Sequence, residues 1–119
     1  MPDALRQYKA TIFQALAHPT RIAILELLRD RELPVSNIIE RLGIEPANAS
    51  QHFAVLRAKN IVTSRKEGSQ VFYSVRDPLF IDVLDIMRRC CEKHVAESVA
   101  LLSELSDRPD AGAQAPERT

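Results

Sequence analysis

The sequence contains no tryptophan, two tyrosines and four phenylalanines, and its only cysteines stand side by side at Cys90 and Cys91. So few aromatic rings exclude the stacked surface on which single-stranded nucleic acid is held. Two adjacent cysteines make no disulfide framework. Neighbours on a helix point about 100° apart, so a Cys90–Cys91 bond would distort the backbone, whereas a bridge between chains stays open. No apolar run reaches membrane-spanning length and the start carries no signal-peptide pattern, so the expected location is cytoplasmic, with no membrane contact. Net charge is lacking as well, since 16 Lys and Arg offset 16 Asp and Glu. That balance argues against bulk coating of nucleic acid and for a localised binding face. Internal repeats are absent.

What is present suffices for one compact domain: 119 residues, 45% of them hydrophobic, enough for a single core. The chain is organised around Pro46 to Val62. Phe53, Leu56 and, past the helix, Ile61 and Val62 can be buried, while Asn48, Ser50, Gln51, His52 and Arg57 project outward. An ordinary amphipathic surface helix would show the same division, so the neighbouring segments decide. Upstream, Ile38, Ile39 and Leu42 lie at helical spacing and end at Gly43, a residue suited to closing a helix. Pro46 then fits the first turn of the next helix. Helix, tight turn and helix form a helix-turn-helix. Downstream, Val62–Lys66, the turn Glu67-Gly68-Ser69 and Gln70–Val75 read as a β-hairpin, a wing.

Charge follows the same division. From Arg41 to Arg76 six basic residues face two acidic ones, a local balance of +4, and the remainder carries −4. Positive charge is concentrated where phosphates of duplex DNA would lie. The major groove shows a distinct donor and acceptor pattern at each base pair, so Asn48, Gln51 and His52 are assigned to base edges. Ser50, near the helix start, and Arg57, with Arg65 and Lys66 in the wing, are assigned to phosphates. Ser69 and Gln70 at the wing tip complete the expected DNA-binding set.

The outer segments supply the frame. Leu5, Tyr8, Ile12, Phe13 and Leu16 share one face of a helix starting at Asp3, with Met1 and Pro2 expected to be loose. Pro19 opens a second helix through Ile24, Leu25 and Leu28, with His18 in a capping or packing role. Arg29 to Leu33 reads as a polar connection. Asp77-Pro78 starts a last helix reaching about Leu105. Its stripe of Leu79, Phe80, Val83, Leu84, Met87, Cys91, Val95, Ser98 and Leu102 needs a covering surface, and a second copy is the simplest one. From Ser106 to Thr119 the composition turns to that of a disordered tail. The domain is therefore set at 3–105 and the tail at 106–119.

The runs Leu16-Ala17-His18-Pro19-Thr20-Arg21-Ile22 and Ser50-Gln51-His52-Phe53-Ala54-Val55-Leu56-Arg57, with the wing Gly68-Ser69-Gln70-Val71-Phe72-Tyr73, resemble the ArsR/SmtB-type winged-helix repressors over roughly residues 5 to 105. The resemblance implies a mainly α winged helix-turn-helix, ordered α-α-α-α-β-β-α, that forms a homodimer through its first and last helices. It implies a transcriptional repressor on an inverted-repeat operator in double-stranded DNA, not an enzyme. The family's metalloid site uses a Cys-x-Cys where this chain has Pro34-Val35-Ser36. Its terminal-helix zinc positions fall here on Asp77, Leu79, Cys90 and Lys93. Leu79 cannot ligate and Lys93 opposes a cation, so the resemblance does not carry that zinc site over.

Cys90, Cys91 and His94 are nevertheless the chain's only soft-ligand cluster. Cys90 and His94 are four apart and share a helical face. Paired with their copies, the thiolates would suit Zn²⁺ or a thiophilic ion such as arsenite. Oxidation of the thiols is a second reading, and small structural hydrophobes at a dimer seam in a non-sensing regulator a third. Two other classes compete for the whole protein. One is a winged helix kept as a protein-interaction module, which the basic segment and polar helix face disfavour. The other is a thiol-exchange enzyme, for which no Cys-x-x-Cys or helix N-terminus activates the thiol.

Overall fold

The computed structural model of the chain describes residues 2–106. Element order is α1 (Pro2–Leu16), α2 (Pro19–Leu27), β1 (Leu33–Pro34), α3 (Val35–Leu42), α4 (Pro46–Ala58), β2 (Val62–Glu67), β3 (Gln70–Val75) and α5 (Pro78–Ser106). The chain divides into two compact units, one up to Leu84 and one from Asp85 onward.

The first unit closes around Ile24, Leu25, Ile38, Leu56 and Ile61, all fully buried. Several helix ends have a local reason. Pro19 opens α2 behind His18, whose Nδ1 accepts the Thr20 amide at 3.1 Å, satisfying one free donor of the first turn. Gly43, at φ 63°, ends α3, a left-handed conformation that costs glycine nothing. Asn60 does the same after α4 at φ 59°. The amides of Asn60 and Ile61 there return to the carbonyls of Arg57 and Leu56, the paired bonds of a Schellman closure with asparagine in the glycine position. Asp77 Oδ1 accepts the Leu79 amide at 2.9 Å and opens α5.

Three details depart from the sequence reading. Pro2 already lies in α1 rather than being loose. The stretch read as a polar connection ends in a strand: Leu33 is 6% exposed and pairs with Tyr73, and Pro34 pairs with Phe72. The sheet is therefore three-stranded and antiparallel, in the order β1-β3-β2, with Pro34 in a strand at the sheet edge, where its missing amide is tolerated. Ser106, assigned to the tail, closes α5, its hydroxyl donating to the Ser103 carbonyl at 3.1 Å. The rest of that expected tail, 107–119, lies outside the described residues.

Of α5, only the first turns serve the first unit, with Ile81 buried and Phe80 and Leu84 packed against the core. The second unit's described part is the helix from Asp85 to Ser106, steadied by Arg88 ion pairs with Asp85 and Glu92 one turn either side. Its apolar residues are open to solvent. No described helix is long and apolar enough to cross a membrane.

Candidate nucleic-acid interface

Helix α4 is held from below and bare above. Ala49, Phe53 and Leu56 are buried at 1%, 3% and 0% exposure, and the Phe53 ring stacks on Tyr73 of β3 with centroids 4.2 Å apart. Residues three and four apart share a helical face, so this stripe fixes which side chains point away. Asn48, Ser50, Gln51 and Arg57 are all exposed. Ser50 and Arg57 line an open groove together with Ser36 and with Ser69 and Gln70 of the wing tip.

His52 does not project outward as the sequence reading held. It is half-buried and turns toward the start of α2, its ring tilted against that of His18 with centroids 4.4 Å apart. Arg21 Nη1 lies 3.3 Å from His52 Nδ1. A guanidinium has only donors, so a hydrogen bond at this contact has Nδ1 as acceptor, the role it takes in a neutral imidazole protonated on Nε2. Burial, reinforced by His18 and Arg21, holds the imidazole below its ordinary value of 6.5. The run Ser50-Gln51-His52-Phe53 gives no sign of this, because the partners lie about thirty residues upstream.

The wing separates two residues that the sequence places together. Strand side chains alternate between faces. Ser64 and Lys66 pair with Tyr73 and Val71, on the face that meets α4. Arg65 and Glu67 therefore point the other way. Arg65 Nε lies 3.0 and 2.9 Å from the two Glu32 carboxylate oxygens and Nη2 adds another bond to Glu32. Nη1 reaches Glu67 at 2.7 Å, and the guanidinium sits 4.6 Å from the Phe72 ring centroid. Those hydrogen bonds hold the Glu32 carboxyl below its usual 4.5 and raise Arg65 above the ordinary guanidinium range. Arg65 is thus braced by its own chain, while Lys66 is exposed on the recognition-helix side. Glu32 reaches the wing because strand β1 follows it and pairs with β3, a long-range contact that the local sequence does not announce. The turn between the strands is two residues, with Gly68 at φ 62°, the positive φ that tight hairpins place at this position.

Cys90 and Cys91 are free and exposed, and His94 is exposed on the same helix. Among the described residues no three His, Cys, Asp or Glu side chains converge as a metal ion requires, so these residues do not fit a metal within one chain.

A helix-turn-helix domain family model matches residues 16–65. The chain is 36% identical over 104 residues to the HTH-type transcriptional regulator Rv0081 of Mycobacterium tuberculosis, covering 87% of this chain and 91% of that one. The crystal structure of Rv0081 superposes with a TM-score of 0.74 at 35% identity, over 80% of this chain and 96% of that one. A probable mercury resistance operon repressor of Streptomyces lividans is 31% identical over 105 residues, 88% of this chain and 81% of that protein. The solution structure of the homodimeric winged helix-turn-helix domain Mb0332 of Mycobacterium bovis, described as a possible ArsR-family regulator, matches with a TM-score of 0.74 at 25% identity, over 81% and 89% of the two chains. Fold, wing and sequence likeness over most of the chain converge: this protein belongs to the ArsR/SmtB-type winged helix-turn-helix transcriptional regulators, DNA-binding proteins rather than enzymes.

Proposed function

We propose that the chain acts as a cytoplasmic repressor, two copies binding an inverted repeat in duplex DNA with each α4 in a major groove about one helical turn apart. The observation that carries this reading is the bare polar ridge of α4, with Asn48, Ser50, Gln51 and Arg57 exposed above a fully packed apolar stripe. Asn48 and Gln51 read base edges. Ser50, Arg57 and Lys66 hold phosphates, and Ser69 and Gln70 place the wing tip on the backbone. His52 and Arg65, both assigned to DNA from sequence, act instead within the protein. The unit of function is residues 2–106, from the start of α1 to the end of α5. Dimerisation through α1 and α5 is supported by Leu5, Tyr8 and Phe13, 55 to 58% exposed, and by Val95, Val99 and Leu102, 58 to 65% exposed.

Binding isotherms on a specific and a scrambled duplex at several salt concentrations test the assignment. Gln51→Ala is expected to lose about 1 to 3 kcal/mol on the specific duplex and little on the scrambled one. Equal loss on both would remove Gln51 from base reading.

The exposed thiols favour Cys90 and Cys91 as the groups that answer a signal, with Zn²⁺ or arsenite bound only where two chains bring their thiolates together. Titrating the DNA-bound dimer with Zn²⁺, arsenite and peroxide, beside a Cys90/Cys91 double serine variant, tests this. Unchanged DNA affinity throughout would make the thiols structural.

A further inference from the structure

Arg21 touches three groups at once. Its Nε donates to the Ala15 carbonyl at 2.6 Å, Nη2 to the Gln14 carbonyl at 3.4 Å, and Nη1 to His52 Nδ1 at 3.3 Å. The two carbonyls belong to the last turn of α1, where the helix dipole favours a cation, and that of Gln14 also accepts the Ala17 amide at 3.2 Å. The third acceptor sits on α4, next in sequence to Gln51. The buried stripe of Ala49, Phe53 and Leu56 sets which face of α4 points outward, and since apolar burial is non-directional, a hydrogen bond to α4 adds a directional restraint on its exact rotation. A planar guanidinium with donors in a rigid fork can fix it, and a lysine ammonium on a flexible stem cannot span the same three acceptors.

We propose that Arg21 is the positioning residue of the recognition helix, tying α4 through His52 Nδ1 to the carboxyl end of α1 and setting the angle at which Asn48 and Gln51 meet the bases. This rests on the reading of α4 as the groove-entering helix. The bond requires a neutral His52, since a protonated Nδ1 would face the Arg21 donors with no lone pair to accept. The groups whose charge acts on His52 are His18 and Arg21. At this contact α1 contributes the Gln14 and Ala15 carbonyls, reached through Arg21.

The test uses the full chain and a duplex selected from a randomised pool by the wild-type protein at about pH 8. Arg21→Ala and Arg21→Lys are each expected to weaken binding about tenfold, the size of one charge-assisted hydrogen bond. The salt slope stays unchanged, because Arg21 neutralises no phosphate. His52→Asn offers an amide oxygen in place of Nδ1 that cannot be protonated. It is expected to keep affinity within about twofold at pH 8, and the wild type is expected to lose affinity relative to it as pH falls below the ordinary imidazole value. Wild-type binding by Arg21→Lys, a flattened salt slope, or identical pH profiles for wild type and His52→Asn would overturn the proposal. Should the Arg21 variants fail to fold by circular dichroism, the His52→Asn profile decides alone. Gln51→Ala and Arg57→Ala serve as controls. If neither weakens binding, the reading of α4 fails and this inference with it. If both do and the Arg21 variants do not, only this inference fails.

Discussion

Apart from exposed apolar residues on α1 and at the start of α5, the body up to Leu84 and the helix from Asp85 to Ser106 treat the same kinds of residue in opposite ways. In the body, Ile24, Leu25, Ile38 and Leu56 are wholly buried by their own chain. In the helix, Ile86, Met87, Val95, Val99, Leu101 and Leu102 remain 54 to 65% exposed. The wing repeats the contrast with charge: Arg65 is satisfied by Glu32 and Glu67 of the same chain, and Lys66 is not drawn into that network. Groups satisfied from within hold the fold, and the groups left open are those for which a second copy or DNA is the proposed partner.

Substitutions on either side of that division should behave differently. The largest effect is expected from Leu56→Ala, which leaves a cavity at the centre of the body and should cost about 2 to 5 kcal/mol in urea unfolding. Val99→Ala, at dilute protein, should change the same measurement by no more than about 0.5 kcal/mol. Comparable losses at both sites would erase the distinction. Next is Leu102→Asp, which puts a carboxylate where a second chain is expected. It should leave helix content intact and raise the dimer dissociation constant at least about tenfold by sedimentation, through an unpaired charge at a buried contact.

Smaller effects separate the two faces of the wing. Lys66→Ala should weaken all duplexes alike and flatten the salt dependence by about one phosphate contact, whereas Arg65→Ala should leave that slope unchanged. A slope change for Arg65→Ala alone would reverse the assignment. The smallest effect is the pH dependence of folding through His52. Its folded value is lowered from 6.5, so the unfolded chain takes up a proton first as acid is added. The stability it contributes is complete above 6.5 and declines as pH falls toward the lowered folded value. Urea midpoints between about pH 8 and 5 should show this decline in the wild type and its absence in His52→Asn.

Much of the fold was legible because it rests on local rules. Pro19, Pro46 and Pro78 mark helix starts, Gly43 a helix end, and Gly68 the hairpin, each through backbone restrictions that act within a few residues. The exposed residues of α4 were legible for the same reason, since helical spacing separates Asn48, Ser50, Gln51 and Arg57 from the buried stripe. What was missed depends on long-range partners. Strand β1 is two residues long and exists only because β3 pairs with it. Asn60 ends α4 without a sequence signal as plain as glycine, because asparagine adopts the left-handed conformation less often, though it tolerates it better than most residues.

By itself the sequence determined the helix-turn-helix, the wing, the polar ridge between Asn48 and Arg57, and the family, because these follow from periodicity, turn chemistry and motif order along the chain. Only the tertiary structure decided that His52 faces Arg21 and that Arg65 is braced by Glu32, separations of 31 and 33 residues. Both side chains carry the chemistry of a DNA contact, and what a polar side chain binds is set by the nearest complementary group in space, which the order of residues does not reveal until the chain has folded.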